Sequence, residues 1–176
     1  VHYRVGTRKN FKYDVVFVGS YEKKRYSDIL YLANNRIRVD IFGNGWKSST
    51  KNPFLTFHKA LLSKDYSELM GKSRIALCFL RQANLDTQTS RTFELPACGV
   101  FTLMEWSESH REFFSDGVEV VFFENREELL KSARYYLANE AARERIASAG
   151  FEAARKRGYS FENMIEKIMA DINSIE

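Results

Sequence analysis

Six short apolar runs, most of them separated by stretches with helical spacing, constrain the fold of this 176-residue chain more than any other property. The first, Tyr13 to Val18, stops at Gly19-Ser20; the second, Ile37 to Phe42, alternates in polarity and meets Gly43-Asn44-Gly45. Phe54 to Ala60, Arg74 to Phe79, Gly99 to Met104 and Val118 to Phe123 follow as further strands. Between them, residues 21–34 carry Ile29, Leu30 and Leu32 in a crossover helix closed by Asn34-Asn35, and Ser63 caps a helix over 64–71. A short helix starts at Thr89 or Ser90, with Pro96 placed about its first turn and Gly99 ending it. Another begins at Ser107 and runs to about Asp116-Gly117. Asn125 and Glu128 have capping-box spacing, and Leu129, Leu130, Ala133, Tyr136 and Leu137 repeat helically behind them. Over 139–157, Ile146, Ala149, Ala153 and Ala154 share one side, with Arg143, Arg145, Arg155 and Lys156 elsewhere. Ser160 caps a terminal helix bearing Phe161, Met164, Ile165, Ile168 and Ile172. This order predicts an α/β fold: a Rossmann-like, mostly parallel sheet with helices on both faces and a helical C-terminal tail. Residues 1–12 read as a linker or arm, and 13–176 as one domain.

The run Asp86-Thr-Gln-Thr-Ser-Arg-Thr-Phe-Glu94 lies between the fourth strand and the short helix, where an open α/β sheet places its ligands. The amides near Thr89, Ser90, Arg91 and Thr92 suit an anionic group at a helix start, and Arg91 suits phosphate oxygens. Asp86 and Glu94 flank that start and can accept hydrogen bonds from hydroxyls. A ligand with both phosphate and several hydroxyls fits, and a nucleotide sugar is the commonest such molecule. Gly19 and Ser20 end the first strand just before Lys23, Lys24 and Arg25, a cationic triplet able to neutralise a departing diphosphate. Most of these residues also have an ordinary duty, though Asp86 does not: Thr89 or Ser90 as caps, Glu94 as an anion near the positive helix end, Arg91 in a salt bridge with Glu94 or Glu105, the triplet as a solvated face. Gly43-Asn-Gly45 lacks a third glycine, because Ser48 occupies its place, so it reads as a tight turn rather than a dinucleotide fingerprint.

Charge is uneven. Residues 1–60 hold 12 Lys/Arg against 4 Asp/Glu, whereas the rest of the chain is net negative within an overall +4. Positive charge clustered in one half suits an anion, whether nucleic acid, membrane surface or diphosphate. No run of 18 apolar residues predicts a membrane span, and the basic residues 1–12 do not read as a leader. Cys78 and Cys98 sit among apolar neighbours, as small buried hydrophobes of a reducing compartment, and the scattered His2, His58 and His110 offer no metal motif. The expected location is cytoplasmic, with peripheral contact at the inner membrane face left open. A start at Val1 rather than Met predicts a fragment of a longer protein.

Over nearly everything from Tyr13 onward, the chain resembles the C-terminal, donor-binding half of a GT-B glycosyltransferase, in particular the CgeB-like (spore-maturation-type) group. The resemblance rests on Val18-Gly19-Ser20, Phe42-Gly-Asn-Gly-Trp46, the stretch from Tyr66 to Phe79 and, most specifically, Ser90-Arg-Thr-Phe-Glu94-Leu-Pro-Ala-Cys-Gly99. It implies that Glu94 holds ribose hydroxyls and that Asp86 faces the donor sugar, the two forming the catalytic carboxylate pair. It places the diphosphate on the amides of Thr89 to Arg91 and on the Gly19-Ser20 loop with its basic neighbours. Asp86 stands where the family usually has Glu, and Thr87-Gln88-Thr89 replaces the usual Gly-Phe-Gly. The implied activity is metal-independent transfer of a sugar from a nucleotide diphosphate sugar, uridine-linked, with no cofactor. The acceptor would sit on an N-terminal domain absent from this fragment, leaving the fragment itself inactive. Two rivals stand beside it: a nucleotide- or sugar-phosphate-binding module without chemistry, and a basic interaction domain for nucleic acid or an anionic membrane.

Overall fold

The computed structural model describes residues 10–46, 51–61, 63–81 and 85–158. Six strands form one sheet: β1 (Tyr13–Val18), β2 (Val39–Phe42), β3 (Leu55–His58), β4 (Ser73–Cys78), β5 (Phe101–Glu105) and β6 (Val121–Phe123). Their order is β3-β2-β1-β4-β5-β6, and every pairing is parallel. Among the described residues α1 (Lys23–Asn34), α2 (Ser63–Gly71), α3 (Ser90–Ala97) and α4 (Glu108–Phe113) lie between strands, and α5 (Arg126–Ala138) and α6 (Glu140–Lys156) follow β6. The expected alternation is therefore present, in the doubly wound arrangement whose chain reverses direction across the sheet between β1 and β4.

Alternating side chains build two cores. Val15, Phe17, Val39, Ile41, Ile75, Leu77, Phe101 and Leu103 pack under α1 and α5. Val16, Phe42, Ala76, Cys78 and Met104 face the other way, against Tyr66, Leu69 and Met70 of α2 and Leu95 of α3. Helix α6 contributes to both, with Ile146 and Ala147 in the first and Ala153 in the second. Burial on both faces is why these strands read as apolar runs.

The boundaries moved for local reasons. β2 begins at Val39 rather than Ile37 because residues 35–37 finish α1. Ile37 N–H donates to Leu32 O (3.1 Å) and Arg36 N–H to Ala33 O (3.0 Å), with Arg36 at φ 63°. That is a Schellman closure with arginine where glycine is usual. Ser63 is the first residue of α2 rather than its cap. β5 starts at Phe101, after Gly99 (φ 67°) has closed α3 through a 2.7 Å bond to Pro96 O. Pro96 itself stands in the second turn, one residue before the end of α3, so the expectation of a first-turn proline was wrong. α4 ends at Phe113, not near Asp116-Gly117, because Ser115 O collects the Glu119 amide at 3.0 Å in a tight turn. That turn also absorbs the first half of the Val118–Phe123 run, leaving Val118 57% exposed. Arg143 was expected off the apolar side of α6 but is buried: it lies three residues before Ile146, on the same face. Its Nη1 donates to Tyr136 O at 2.7 Å. The terminal helix, most of the arm over 1–12 and Ser48 lie outside the described residues.

Candidate functional site

The six strands end at one edge, where a sheet of this order places its ligand crevice between β1 and β4. Two loops bound it on the β1–β2 side. Gly19 N–H donates to Phe42 O (2.9 Å), and Trp46 Nε1 donates to Gly19 O (2.8 Å). A Cβ on Gly43 would lie 2.0 Å from Gly19 O, so only glycine lets the two strand-end turns touch. The Gly43-Asn-Gly45 turn thus braces the Gly19-Ser20 loop from beside it, while Ser20 stays exposed.

On the β4 side, Thr89 caps α3 in an extended conformation, and the Thr92 hydroxyl accepts the Thr89 amide at 3.0 Å. The Thr92 amide is spent on Thr89 O (3.0 Å), leaving the amides of Ser90 and Arg91 without partners among the described residues. Those two donors, backed by the helix dipole, suit an anion. Thr92 cannot offer its side chain. It is fully buried, and its hydroxyl lies 2.8 Å from His110 Nε2, while His110 Nδ1 lies 2.7 Å from Glu105 O. A carbonyl only accepts, so Nδ1 carries a proton, and in the neutral ring Nε2 accepts from the Thr92 hydroxyl. Burial lowers the His110 pKa, in keeping with that tautomer.

Arg91 and Glu94 meet as an ion pair one turn apart, and the guanidinium stacks over the buried Tyr66 ring, 4.2 Å from its centroid. The structural duty foreseen for Arg91 is therefore real, on the Glu94 branch and not the Glu105 one. Both side chains remain partly exposed, 33% and 24% respectively. Asp86 is half-buried in the loop before α3, and its amide donates to Arg81 O at 3.2 Å.

The cationic triplet divides. Lys23 is exposed. Lys24 Nζ donates to Glu105 Oε1 (2.6 Å) and Asp28 Oδ2 (3.3 Å). Burial alone would lower its pKa, but the bonds and charges of Glu105 and Asp28 outweigh that and raise it. Arg25 is buried, with Nε on Leu80 O (3.1 Å) and Nη2 on Phe79 O (3.4 Å). It holds the end of β4 instead of facing an incoming anion. Beneath α3, burial pushes the Cys78 thiol up to about 12, which leaves it an inert small hydrophobe.

Glu105, Ser107, His110 and Tyr66 were not singled out as site residues from sequence. The signal for Glu105 was its place: a carboxylate ending an apolar strand on the ligand edge. Ser107 was seen only as a cap, which it is, its Oγ accepting His110 N–H at 3.0 Å. The same hydroxyl also donates to Thr87 O (2.7 Å) and so tethers the Asp86 loop. Among the described residues, no three His, Cys, Asp or Glu come together to hold a metal ion, and no helix is long and apolar enough to cross a membrane.

Solved structures share this fold. The C-terminal domain of a glycosyl transferase group 1 family protein, LpcC from Francisella tularensis, superposes with TM-score 0.74 at 11% identity, covering 92% of this chain and 97% of that one. HepE from Anabaena, solved with UDP-glucose, gives TM-score 0.74 at 14% identity over 93% of this chain and 49% of its own. T4 phage BGT, solved with its UDP-glucose substrate, gives 0.69 at 19% identity over 88% and 47%. The chain thus spans about half the length of the latter two proteins. No curated protein matches the sequence. A family model described as glycosyl transferase-like matches residues 24–170, a span that runs from α1 through β4 and α3 to beyond α6, and the chain belongs to that family.

Proposed function

We propose that this chain is the donor-binding half of a glycosyltransferase and takes a nucleotide diphosphate sugar, uridine-linked, in the crevice between β1 and β4. The carrying observation is the pair of unpartnered amides at Ser90 and Arg91, set at the switch point of a parallel sheet with Glu94 one turn further on. The diphosphate sits against those amides, the Gly19-Ser20 loop and Lys24. Glu94 accepts the ribose hydroxyls and Asp86 faces the sugar. The neighbours solved with UDP-glucose support this choice of nucleotide. In the reaction, the departing diphosphate develops charge where fixed dipoles and a cation already stand, and that preorganisation lowers the barrier. A second α/β domain in the whole protein holds the acceptor, so the 176-residue chain binds donor and turns over little.

The test is calorimetric titration of the chain with UDP and GDP. UDP binds and GDP binds more weakly, and Glu94→Ala removes UDP binding while circular dichroism and melting stay close to wild type. The fold survives because a half-exposed ion pair contributes only about 0.5 kcal/mol. No heat with either nucleotide at millimolar concentration would reject the assignment.

A further inference from the structure

Glu105 joins more of the crevice than any residue assigned to it above. Its carboxylate uses both oxygens: Oε1 receives the Lys24 ammonium at 2.6 Å, and Oε2 receives the Leu80 amide at 2.8 Å. Leu80 is the point where the chain leaves β4 for the loop that carries Asp86. The other side of that residue is pinned as well, since Leu80 O accepts from Arg25 Nε at 3.1 Å. The main chain of Glu105 reaches α3, because its carbonyl accepts from His110 Nδ1 and His110 meets the Thr92 hydroxyl that caps the helix. One residue at the end of β5 therefore links the head of α1, the root of the β4 loop and the start of α3.

Lys24 has three N–H donors and spends two of them, on Glu105 and Asp28. The third has no partner among the described residues, and the side chain is 35% exposed. A lysine ammonium on a four-carbon stem is a mobile point charge unless something holds it. Two carboxylates do so here, and Glu105 makes the shorter contact.

We propose that Glu105 is a positioning residue of the donor site: it holds the Lys24 ammonium beside the crevice with one N–H left for a phosphate oxygen, and it anchors the loop that carries Asp86 through the Leu80 amide. This rests on the donor-site reading and extends it to a residue that never touches the donor. Removing the negative charge of Glu105 should weaken the binding of an anion, because Lys24 loses its fixed place, although the net charge of the site becomes more positive.

Glu105→Gln keeps the shape and can still accept the Leu80 amide, but it faces Lys24 with a neutral amide. Titrating the intact chain with UDP and with UMP separates the outcomes, because the second phosphate is what a held Lys24 would reach. The expected result is an approximately tenfold loss for UDP, the weight of one charge-assisted hydrogen bond, with UMP changed less than about twofold and melting unchanged. Lys24→Met gives the same pattern, and the double variant binds UDP no worse than Lys24→Met alone. Three results overturn the proposal. UDP binding as tight as wild type or tighter would make Glu105 a mere quencher of Lys24. Equal losses for UDP and UMP, accompanied by lower melting, would make it a structural residue only. Full addition of the two single losses would mean that it does not act through Lys24. If the wild-type chain binds no UDP at all, the donor-site reading itself falls and this inference with it.

Discussion

At the scale of single residues, the buried histidine has the clearest consequence. His110 is completely buried, with both ring nitrogens engaged, and its pKa is lowered by burial. The unfolded chain therefore takes up a proton at higher pH than the folded one. Stability contributed by neutral His110 is full above the unfolded value near 6.5 and is lost as pH falls below it, until the folded-state value is reached. The slope cannot exceed about 1.4 kcal/mol per pH unit for one proton. Urea midpoints from pH 7.5 to 5 should fall faster for wild type than for His110→Gln, with the two curves converging in acid. A constant gap between them would show that the ring titrates alike in both states. Asp28 works in the opposite sense: burial raises its pKa despite Lys24, so its charge is a cost near neutrality that its ion pair only partly offsets.

At the scale of elements, α6 sits on the turn before β6 with no room to spare. A Cβ at Gly150 would lie 2.3 Å from Glu119 O, and Arg157 further along the helix clasps the Glu119 carboxylate at 2.7 Å. Helix propensity favours alanine over glycine by about 1 kcal/mol. Close contact with a main-chain carbonyl reverses that sign, so Gly150→Ala should destabilise by about 2 kcal/mol in chemical denaturation. A gain in stability would mean that the turn yields easily. Strands and most helices were legible here because their burial on two faces, or on one stripe, writes a pattern into the chain. Asn125 shows the same legibility in a cap: its side chain accepts the Glu128 amide at 2.9 Å, as the spacing predicted. The ends were less legible. Arg36 in a left-handed conformation, Pro96 in the second turn of α3 and the turn inside the Val118–Phe123 run are closed by local main-chain bonds, but with residues that do not ordinarily mark such places.

At the scale of the molecule, cations of residues 1–60 that the structure describes are divided between the two ends of the sheet. Lys12 and Arg38 lead into β1 and β2 at one edge of the sheet, whereas Lys23 to Arg25 follow β1 at the opposite edge. Of the latter, Arg25 is buried and Lys24 is paired. A compact diphosphate needs only the crevice. UDP at a hundredfold its dissociation constant should therefore raise the melting temperature by about 5–10 °C, from roughly 2.7 kcal/mol of linkage in a domain of this size. Single-stranded polynucleotide should give a much smaller shift that disappears with salt. The reverse ranking in a thermal melt would favour the basic interaction domain.

Periodicity and turn residues were enough to establish a parallel sheet covered by helices on both faces, because that follows from short-range rules about which face is buried and which loop must be polar. The same reasoning found Asp86, Thr89, Ser90, Arg91 and Glu94 as neighbours in sequence. Side-chain partners were settled by folding. Lys24 and Glu105 are 81 residues apart, and only the adjacency of β1, β4 and β5 brings α1 to the end of β5. A charge has no periodic signature of its partner, so which cation is spent on the protein and which is kept for the ligand is decided in three dimensions.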